Sequence, residues 1–238
     1  MIRGAAIALA ALCAAATGPA SACRLALVLA LDVSSSVDAD EDRLQRLGLS
    51  AALLDPEVQE AFLAGRDPVA IAIYEWSGRY NQITIQPWRL IRSEADLLIV
   101  SNRIASSRRA HDDFPTAVGY ALGHAASVLR DGPDCLFQTI DLSGDGINNE
   151  GFGPTEAYAH FPLDGVTVNG LVIDAGDYED PDRLIGFYMD EVRQGPGSFV
   201  EVADGFEDFE RAMRRKLLRE LQSQMIGARP TGAGDGAG

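Results

Sequence analysis

The sequence has almost no lysine and carries a large excess of acidic residues. Lys216 is its one lysine, and 20 basic residues face 35 aspartates and glutamates, so the formal net charge is −15 at pH 7. A surface this acidic repels phosphate backbones and anionic lipid headgroups. The composition therefore argues against nucleic acid as a partner.

The chain also lacks an apolar run of the roughly 20 residues that a transmembrane helix needs. Its apolar stretch at residues 5–16 follows an early arginine and precedes the small-residue triplet Ala-Ser-Ala at 20–22. This arrangement is typical of a secretory signal peptide, which predicts a periplasmic or secreted protein without a transmembrane helix. We predict a signal peptide at 1–22, one domain at 23–226, and a disordered tail rich in glycine and alanine at 227–238.

Cysteine is scarce, and its positions leave two interpretations open. Cys13 lies in the predicted signal, which leaves Cys23 and Cys135. Cleavage of the signal would make Cys23 the first mature residue, where a lipoprotein carries its lipid anchor. Alternatively, Cys23 and Cys135 form a disulfide, because they lie nine residues before Asp32 and ten before Asp145 in two buried strands. An exported protein permits such a bond.

The sequence motifs of several enzyme classes are absent. It contains no GxSxG, no phosphate-binding GxxxxGK[ST], no GxGxxG, no HExxH and no CxxC. One enzymatic hypothesis stays open, a Mg²⁺-dependent hydrolase that uses His111, which is followed by two aspartates and lies five residues before Thr116. We interpret His124 and His160 as structural.

The most informative stretch that is present is an apolar run at residues 25–31, which ends at Asp32, Ser34 and Ser36. Seven apolar residues without a polar break are typical of a strand buried on both faces of a parallel sheet. Ligands of open α/β sheets bind at the carboxyl ends of the strands. One carboxylate and two hydroxyls are hard oxygen donors, which suit Mg²⁺. This is the first candidate metal site.

Strand-like and helix-like patterns alternate along the rest of the chain. This alternation predicts a three-layer, doubly wound (Rossmann-like) α/β fold with a mostly parallel six-stranded sheet. Residues 82–88 alternate in polarity and contain Pro87, as an antiparallel edge strand does. Asp38 and Glu41 form a capping-box pattern before a helix that Pro56 ends or breaks. We interpret the basic run at 214–220 as the solvated face of a C-terminal helix.

Two further residues complete a pattern that spans three loops. Thr116 is followed by Ala-Leu at 121–122, and Asp145 lies in Ser-Gly-Asp-Gly at 143–146. With the DxSxS of residues 32–36, this pattern resembles the metal-ion-dependent adhesion site of von Willebrand factor type A (vWA) domains. The chain also resembles a family of exported bacterial vWA-like proteins of unknown function, through DVSSSVD, EWSG, DLSGDGINNEG, VNGL and QGPGSFV. The usual glycine before the threonine is replaced by Phe114-Pro115.

The resemblance implies a vWA-like domain that binds a divalent metal, Mg²⁺ or else Mn²⁺ or Ca²⁺. Ser34 and Ser36 would bind the metal through their hydroxyls and Thr116 directly or through water, while Asp32 and Asp145 would act mostly through bridging water. An aspartate or glutamate of a protein partner would complete the six oxygens that Mg²⁺ requires. Such a binding module needs no nucleophile.

Two non-catalytic alternatives remain open for the same residues. Asp32, Ser34 and Ser36 would in one case only cap the loop and the helix that follows. In the other, the fold is a structural module whose metal site is degenerate.

Overall fold

The computed structural model describes residues 23–176 and 179–227. The predicted signal peptide and residues 228–238 of the predicted tail lie outside the described residues.

Six strands form one sheet in the spatial order β3-β2-β1-β4-β5-β6. All neighbouring strands are parallel except β2 and β3, which are antiparallel. The predicted doubly wound class, with one antiparallel edge strand, is confirmed. The strands are β1 (Cys23–Asp32), β2 (Val69–Ser77), β3 (Asn81–Ile91), β4 (Cys135–Gly144), β5 (Thr167–Ile173) and β6 (Val200–Ala203).

Helices cover both faces of the sheet. On one face Leu25 and Leu27 of β1 point into a core shared with the first three helices and the last, and on the other Ala26 and Val28 pack with the remaining helices. This two-sided packing explains why β1 is apolar throughout. The helices are α1 (Ala39–Leu54), α2 (Pro56–Leu63), α3 (Glu94–Ser106), α4 (Val118–Arg130), α5 (Pro154–His160), α6 (Pro181–Phe187) and α7 (Phe209–Gly227).

Helix α2 was not predicted from the sequence. Pro56 ends α1, as expected, but it also begins α2, because proline is well suited to a first helical position, where no amide donor is needed. Asp55 caps this new helix by accepting a hydrogen bond from the backbone N–H of Glu57 at 3.0 Å. The predicted capping box of α1, between Asp38 and Glu41, is confirmed.

The interpretation of the basic run as a solvated face is wrong for Lys216. Its side chain is fully buried beneath α7, with Nζ 2.7 Å from Asp141 Oδ1 and 2.6 Å from Glu220 Oε1. Asn169 of β5 donates a hydrogen bond to the same Glu220 oxygen at 2.8 Å. A buried ammonium requires such compensation, because the loss of its hydration costs several kcal/mol. The helix therefore presents its lysine to the sheet.

The surroundings of Lys216 contain one carboxyl more than its charge can neutralise. Burial and the charge of Glu220 outweigh the attraction of Lys216 and raise the pKa of Asp141 to about 7. Asp141 therefore holds a proton in the folded protein at pH values where the unfolded chain, with a carboxyl pKa near 3.8, has released it.

This difference predicts that Asp141 makes the domain less stable as pH rises from about 4 to about 7. We expect its contribution to the free energy of unfolding to fall by about 2 kcal/mol between pH 5 and pH 7.5. Urea denaturation in metal-free buffer at both pH values would measure it. Asp141→Asn should remove this part of the slope, and an unchanged slope in that variant would contradict the assignment.

Cys23 and Cys135 are bonded to each other. Cys23 and Cys135 are register partners at the starts of β1 and β4, with Cα atoms 4.5 Å apart, and their sulfurs form a disulfide. A lipid anchor would need the same Cys23 sulfur, so the lipid and the disulfide exclude each other.

Candidate metal centre

The candidate site lies at the carboxyl ends of β1 and β4. Asp32 is the last residue of β1, and Asp145 directly follows β4. Chain connections run from β1 to β2 on one side and from β4 to β5 on the other, so the strand order reverses between β1 and β4. Open α/β sheets bind their ligands at this kind of reversal, because the flanking loops diverge and leave a crevice.

A chain of hydrogen bonds joins four of the five predicted ligands. The Thr116 hydroxyl donates to Ser34 Oγ at 3.2 Å, the Ser34 and Ser36 hydroxyl oxygens are 3.1 Å apart, and the Ser36 hydroxyl donates to Asp145 Oδ1 at 2.8 Å. The fifth residue, Asp32, accepts a hydrogen bond from the Ser34 backbone N–H through Oδ1 at 2.8 Å. The three loops thus bring all five side chains together.

The second oxygen of Asp32 has no such partner. Oδ2 is buried and accepts no hydrogen bond from any residue that the structure describes. Burial and the charge of Asp145 raise the pKa of Asp32 well above its usual value, and burial raises the pKa of Asp145. Two carboxyls that are costly to ionise, one with an unsatisfied oxygen, form an environment that a cation would stabilise.

The donor set therefore fits a hard divalent cation. Two carboxylates and three hydroxyls supply only oxygen, which Mg²⁺, Mn²⁺ and Ca²⁺ prefer. In the part of the chain that the structure describes, no three His, Cys, Asp or Glu side chains are grouped so that they could hold a metal. Any metal bound here would depend on the hydroxyls of Ser34, Ser36 and Thr116.

Gly144 provides room beside Asp32. A Cβ at this position would lie 2.7 Å from Asp32 Oδ2 and 2.6 Å from the hydroxyl of Tyr188, which is itself buried. Both distances are shorter than the contacts that Cβ atoms make in proteins, so a side chain here would displace one of these groups. Tyr188 thus lies next to Gly144 beside the site, and it was not predicted from the sequence because nothing in its local pattern connects it with β1.

Backbone hydrogen bonds hold the loop that carries Thr116. The carbonyl of Phe114 accepts from the Ser35 N–H at 2.8 Å, and that of Pro115 accepts from the Gly78 N–H at 2.7 Å. Phe114 and Pro115, the departure from the vWA pattern, thus connect the loop both to the DxSxS segment and to the turn after β2. Proline donates no hydrogen bond, but both contacts need only carbonyls.

Two other side chains support the site. Asn149 accepts a hydrogen bond from the Thr116 N–H through Oδ1 at 2.9 Å, and its own N–H donates to the Thr116 carbonyl at 2.9 Å. Gln45 of α1 is fully buried and donates from Nε2 to the Asp32 carbonyl at 2.9 Å. Asn149 lies in the Ile-Asn-Asn segment shortly after Asp145, and this position could have pointed to it. Gln45 lies within α1, and nothing in the sequence connects it with the site.

The capping alternative is only partly compatible with these contacts. The N-cap of α1 is Asp38, which accepts from the backbone N–H groups of Asp40 at 2.7 Å and Glu41 at 2.9 Å. Asp32 does stabilise its own loop through the Ser34 N–H. Helix capping therefore does not account for Ser34 and Ser36.

The three histidines lie outside this hydrogen-bonded group. His111 packs edge-on against Phe114, with ring centroids 5.3 Å apart, and donates no hydrogen bond to the site oxygens in the described part of the chain. His124 packs against Tyr74 at 4.7 Å, and burial lowers its pKa. His160 is exposed, with Nδ1 2.8 Å from the carbonyl of its helix neighbour Glu156.

Solved structures share the fold at low sequence identity. The PilB minor pilin from Streptococcus sanguinis has a TM-score of 0.63 and 14% identity, over 89% of this chain and 64% of that one. A von Willebrand factor type A structure from Catenulispora acidiphila has a TM-score of 0.56 and 13% identity, over 85% of this chain and 43% of that one. A third structure is that of proximal thread matrix protein 1 from the mussel byssus, described with a zinc-occupied MIDAS motif. It has a TM-score of 0.55 and 19% identity, over 85% of this chain and 49% of that one.

These similarities establish a vWA-like fold. The chain spans about half the length of the mussel protein. No curated protein matches the sequence. Within residues 23–176 and 179–227, no helix is both long and apolar enough to cross a bilayer. A family model described as "Protein of unknown function (DUF1194)" matches residues 22–225, and the chain therefore belongs to that family.

Proposed function

We propose that this protein is an exported binding module that holds a divalent metal at Asp32, Ser34, Ser36, Thr116 and Asp145, and binds an acidic residue of a protein partner through it. The single observation that supports the proposal most directly is the convergence of these five oxygen-bearing side chains, with Asp32 Oδ2 buried and without a hydrogen-bond donor in the described residues. Mg²⁺ is the proposed ion, with Mn²⁺ and Ca²⁺ as alternatives.

The chemistry of the donors suggests why the metal would recognise a carboxylate. Hydroxyl oxygens bring no charge, and the two carboxylates of the site are partly engaged by Ser34 and Ser36. With both carboxylates acting mostly through bridging water, the metal would be bound directly by neutral hydroxyls and would stay electron-poor toward an incoming anion, while Mg²⁺ demands six oxygens. The metal, when bound, would supply a Lewis-acidic position for a partner aspartate or glutamate.

We also propose that the protein is periplasmic or secreted. Residues 1–22 would be removed as a signal peptide, and the Cys23–Cys135 disulfide belongs to an oxidising compartment such as the periplasm or the cell exterior. Several proteins of similar fold are described as pilins or pilus adhesins, which is consistent with a role in protein binding outside the cell.

Isothermal titration calorimetry with Mg²⁺ tests the metal site. We expect the wild-type domain to bind Mg²⁺ and Asp145→Ala to bind it at least tenfold more weakly. A loss of this size is typical when a group that holds or orients a metal is removed. Asp131→Ala is a matched control, because Asp131 is an exposed aspartate directly after α4 that, among the described residues, pairs only with its neighbour Arg130. Absence of Mg²⁺ binding, or equal binding by Asp145→Ala, would contradict the proposed metal site.

Capture of a partner, with and without the metal, separates the binding module from the hydrolase hypothesis. A protein partner captured from periplasmic extract should be retained in Mg²⁺ and released by EDTA, and His111→Ala should bind it as the wild type does. Retention that is equal in EDTA would contradict metal-mediated binding.

A further inference from the structure

A pocket lined by arginines lies beside the candidate metal site. It has a volume of about 400 Å³ and is formed by the start of α1 and the loop that follows α3. Its walls include Arg43, Arg46, Arg108 and Arg109. Such a concentration of guanidinium groups is unexpected on a chain with a net charge of −15.

Arg46 forms the fixed floor of this arginine pocket. Its Nε donates to both carboxylate oxygens of Asp42 at 2.8 and 3.0 Å, Nη2 donates to Glu75 Oε2 at 2.6 Å, and Nη1 donates to the Ser107 hydroxyl at 2.8 Å. Arg46 and Glu75 are almost fully buried. All three nitrogens are engaged, so Arg46 shapes the pocket and is not available to a ligand.

Further contacts connect the pocket rigidly to the metal site. Arg109 donates from Nη1 to the carbonyl of Val37, the residue next to the proposed ligand Ser36. The N–H of Ala110 donates to the second oxygen of Glu75 at 2.7 Å. The pocket and the metal site therefore share the carboxyl edge of the sheet, and these partly buried hydrogen bonds hold their relative position.

Arg43 and Arg108 remain available at the rim. The side chain of Arg108 is exposed and makes no hydrogen bond or ion pair with any residue that the structure describes. Arg43 is 61% exposed, and the one ion pair that it makes with a described residue, the 87% exposed Asp40, is long at 3.6 Å. Exposed pairs of this kind contribute little to stability and are easily exchanged for another carboxylate.

We infer that the arginine pocket binds a second carboxylate of the same partner whose first carboxylate binds the metal. This inference rests on the proposed function and deepens it, because it makes the partner an acidic segment with at least two carboxylates a short distance apart. Guanidinium groups recognise carboxylates through paired, charge-assisted hydrogen bonds, and arginine clusters are a general means of reading acidic motifs. Asp42 lines the pocket and Asp40 pairs with Arg43 at its rim, and these two acidic groups favour a singly charged carboxylate over a phosphate dianion.

Fluorescence anisotropy with labelled Gly/Ser peptides tests the inference. One peptide carries a single aspartate, and a short series carries two aspartates separated by one to four residues. In saturating Mg²⁺, we expect the best two-aspartate peptide to bind the wild-type protein about tenfold more tightly than the single-aspartate peptide. In the double variant Arg43→Gln/Arg108→Gln this advantage should fall below twofold, while the affinities for Mg²⁺ and for the single-aspartate peptide stay unchanged.

An arginine far from the pocket provides the control for this experiment. Arg66→Gln, at an exposed arginine before β2 and so at the opposite edge of the sheet, should keep the tenfold advantage. An equal advantage in the double variant, or tighter binding of inorganic phosphate than of the second carboxylate, would overturn the inference alone. If no peptide binds in a Mg²⁺-dependent manner, the proposed function fails and this inference fails with it.

Discussion

Lys216→Met is expected to lower the free energy of unfolding by about 3 to 5 kcal/mol. The substitution leaves Asp141 and Glu220 buried together without their cation, although the lysine had stood within 2.7 Å of both. An unpaired buried carboxylate must either remain charged in a medium of low polarity or take up a proton, and both outcomes weaken the folded state. Urea denaturation followed by circular dichroism would measure the loss.

Two comparison variants make this expectation specific. Arg214→Met lies on the same helix and removes pairs with Asp55 and Glu57, but these pairs are partly exposed, so a loss of about 1 kcal/mol or less is expected. Combining Lys216→Met with Asp141→Asn and Glu220→Gln should recover most of the stability, because no unpaired charge remains. A loss below about 1 kcal/mol for Lys216→Met alone would contradict the argument.

Removal of the disulfide is expected to have an effect of similar size. The bond between Cys23 and Cys135 closes a loop with a sequence separation of 112 residues. In the chain-entropy model, a loop of this length restricts the unfolded chain enough to stabilise the folded state by about 4 to 5 kcal/mol. We expect Cys23→Ala/Cys135→Ala to lose most of this amount in urea denaturation.

Reduction provides the control for this second prediction. Dithiothreitol should destabilise the wild-type protein to the level of the double variant and leave the variant itself unchanged. Mass spectrometry of the mature protein reports the state of Cys23 directly. A diacylglyceryl mass on Cys23 in protein from its native host would rule out the disulfide, since both modifications use one sulfur.

Much of the fold could be predicted because its signals are local. An apolar run without polar interruption specifies a strand covered on both sides, and Pro87 in an alternating segment marks an edge strand. The capping box of Asp38 and Glu41 lies within four residues and is therefore legible without a structure. In contrast, α2 was missed because Pro56 equally suits the end of one helix and the beginning of the next.

The sequence predicted which residues form the candidate site, but not which other side chains surround and hold them. DxSxS and Asp145 follow buried strands, and Thr116 precedes the helix that leads into β4. The carboxyl ends of parallel strands and the start of a helix that leads into such a strand lie at one edge of the sheet, so their proximity follows from topology. Gln45 of α1 contacts the Asp32 carbonyl and Tyr188 lies beside Gly144, and the local sequence pattern of each indicates only burial. Nothing in a local pattern says which loop a buried polar side chain will reach.

The sequence by itself determined the fold class, the strand ends that carry the oxygen donors, and the two alternatives for Cys23. Only the tertiary structure decided which groups meet. The registration of β1 against β4 placed Cys23 opposite Cys135, and the packing of α7 on the sheet paired Lys216 with Asp141, 75 residues away in the chain. Periodicity records how much of an element is buried, whereas the identity of a buried charge's partner depends on register and packing between distant elements.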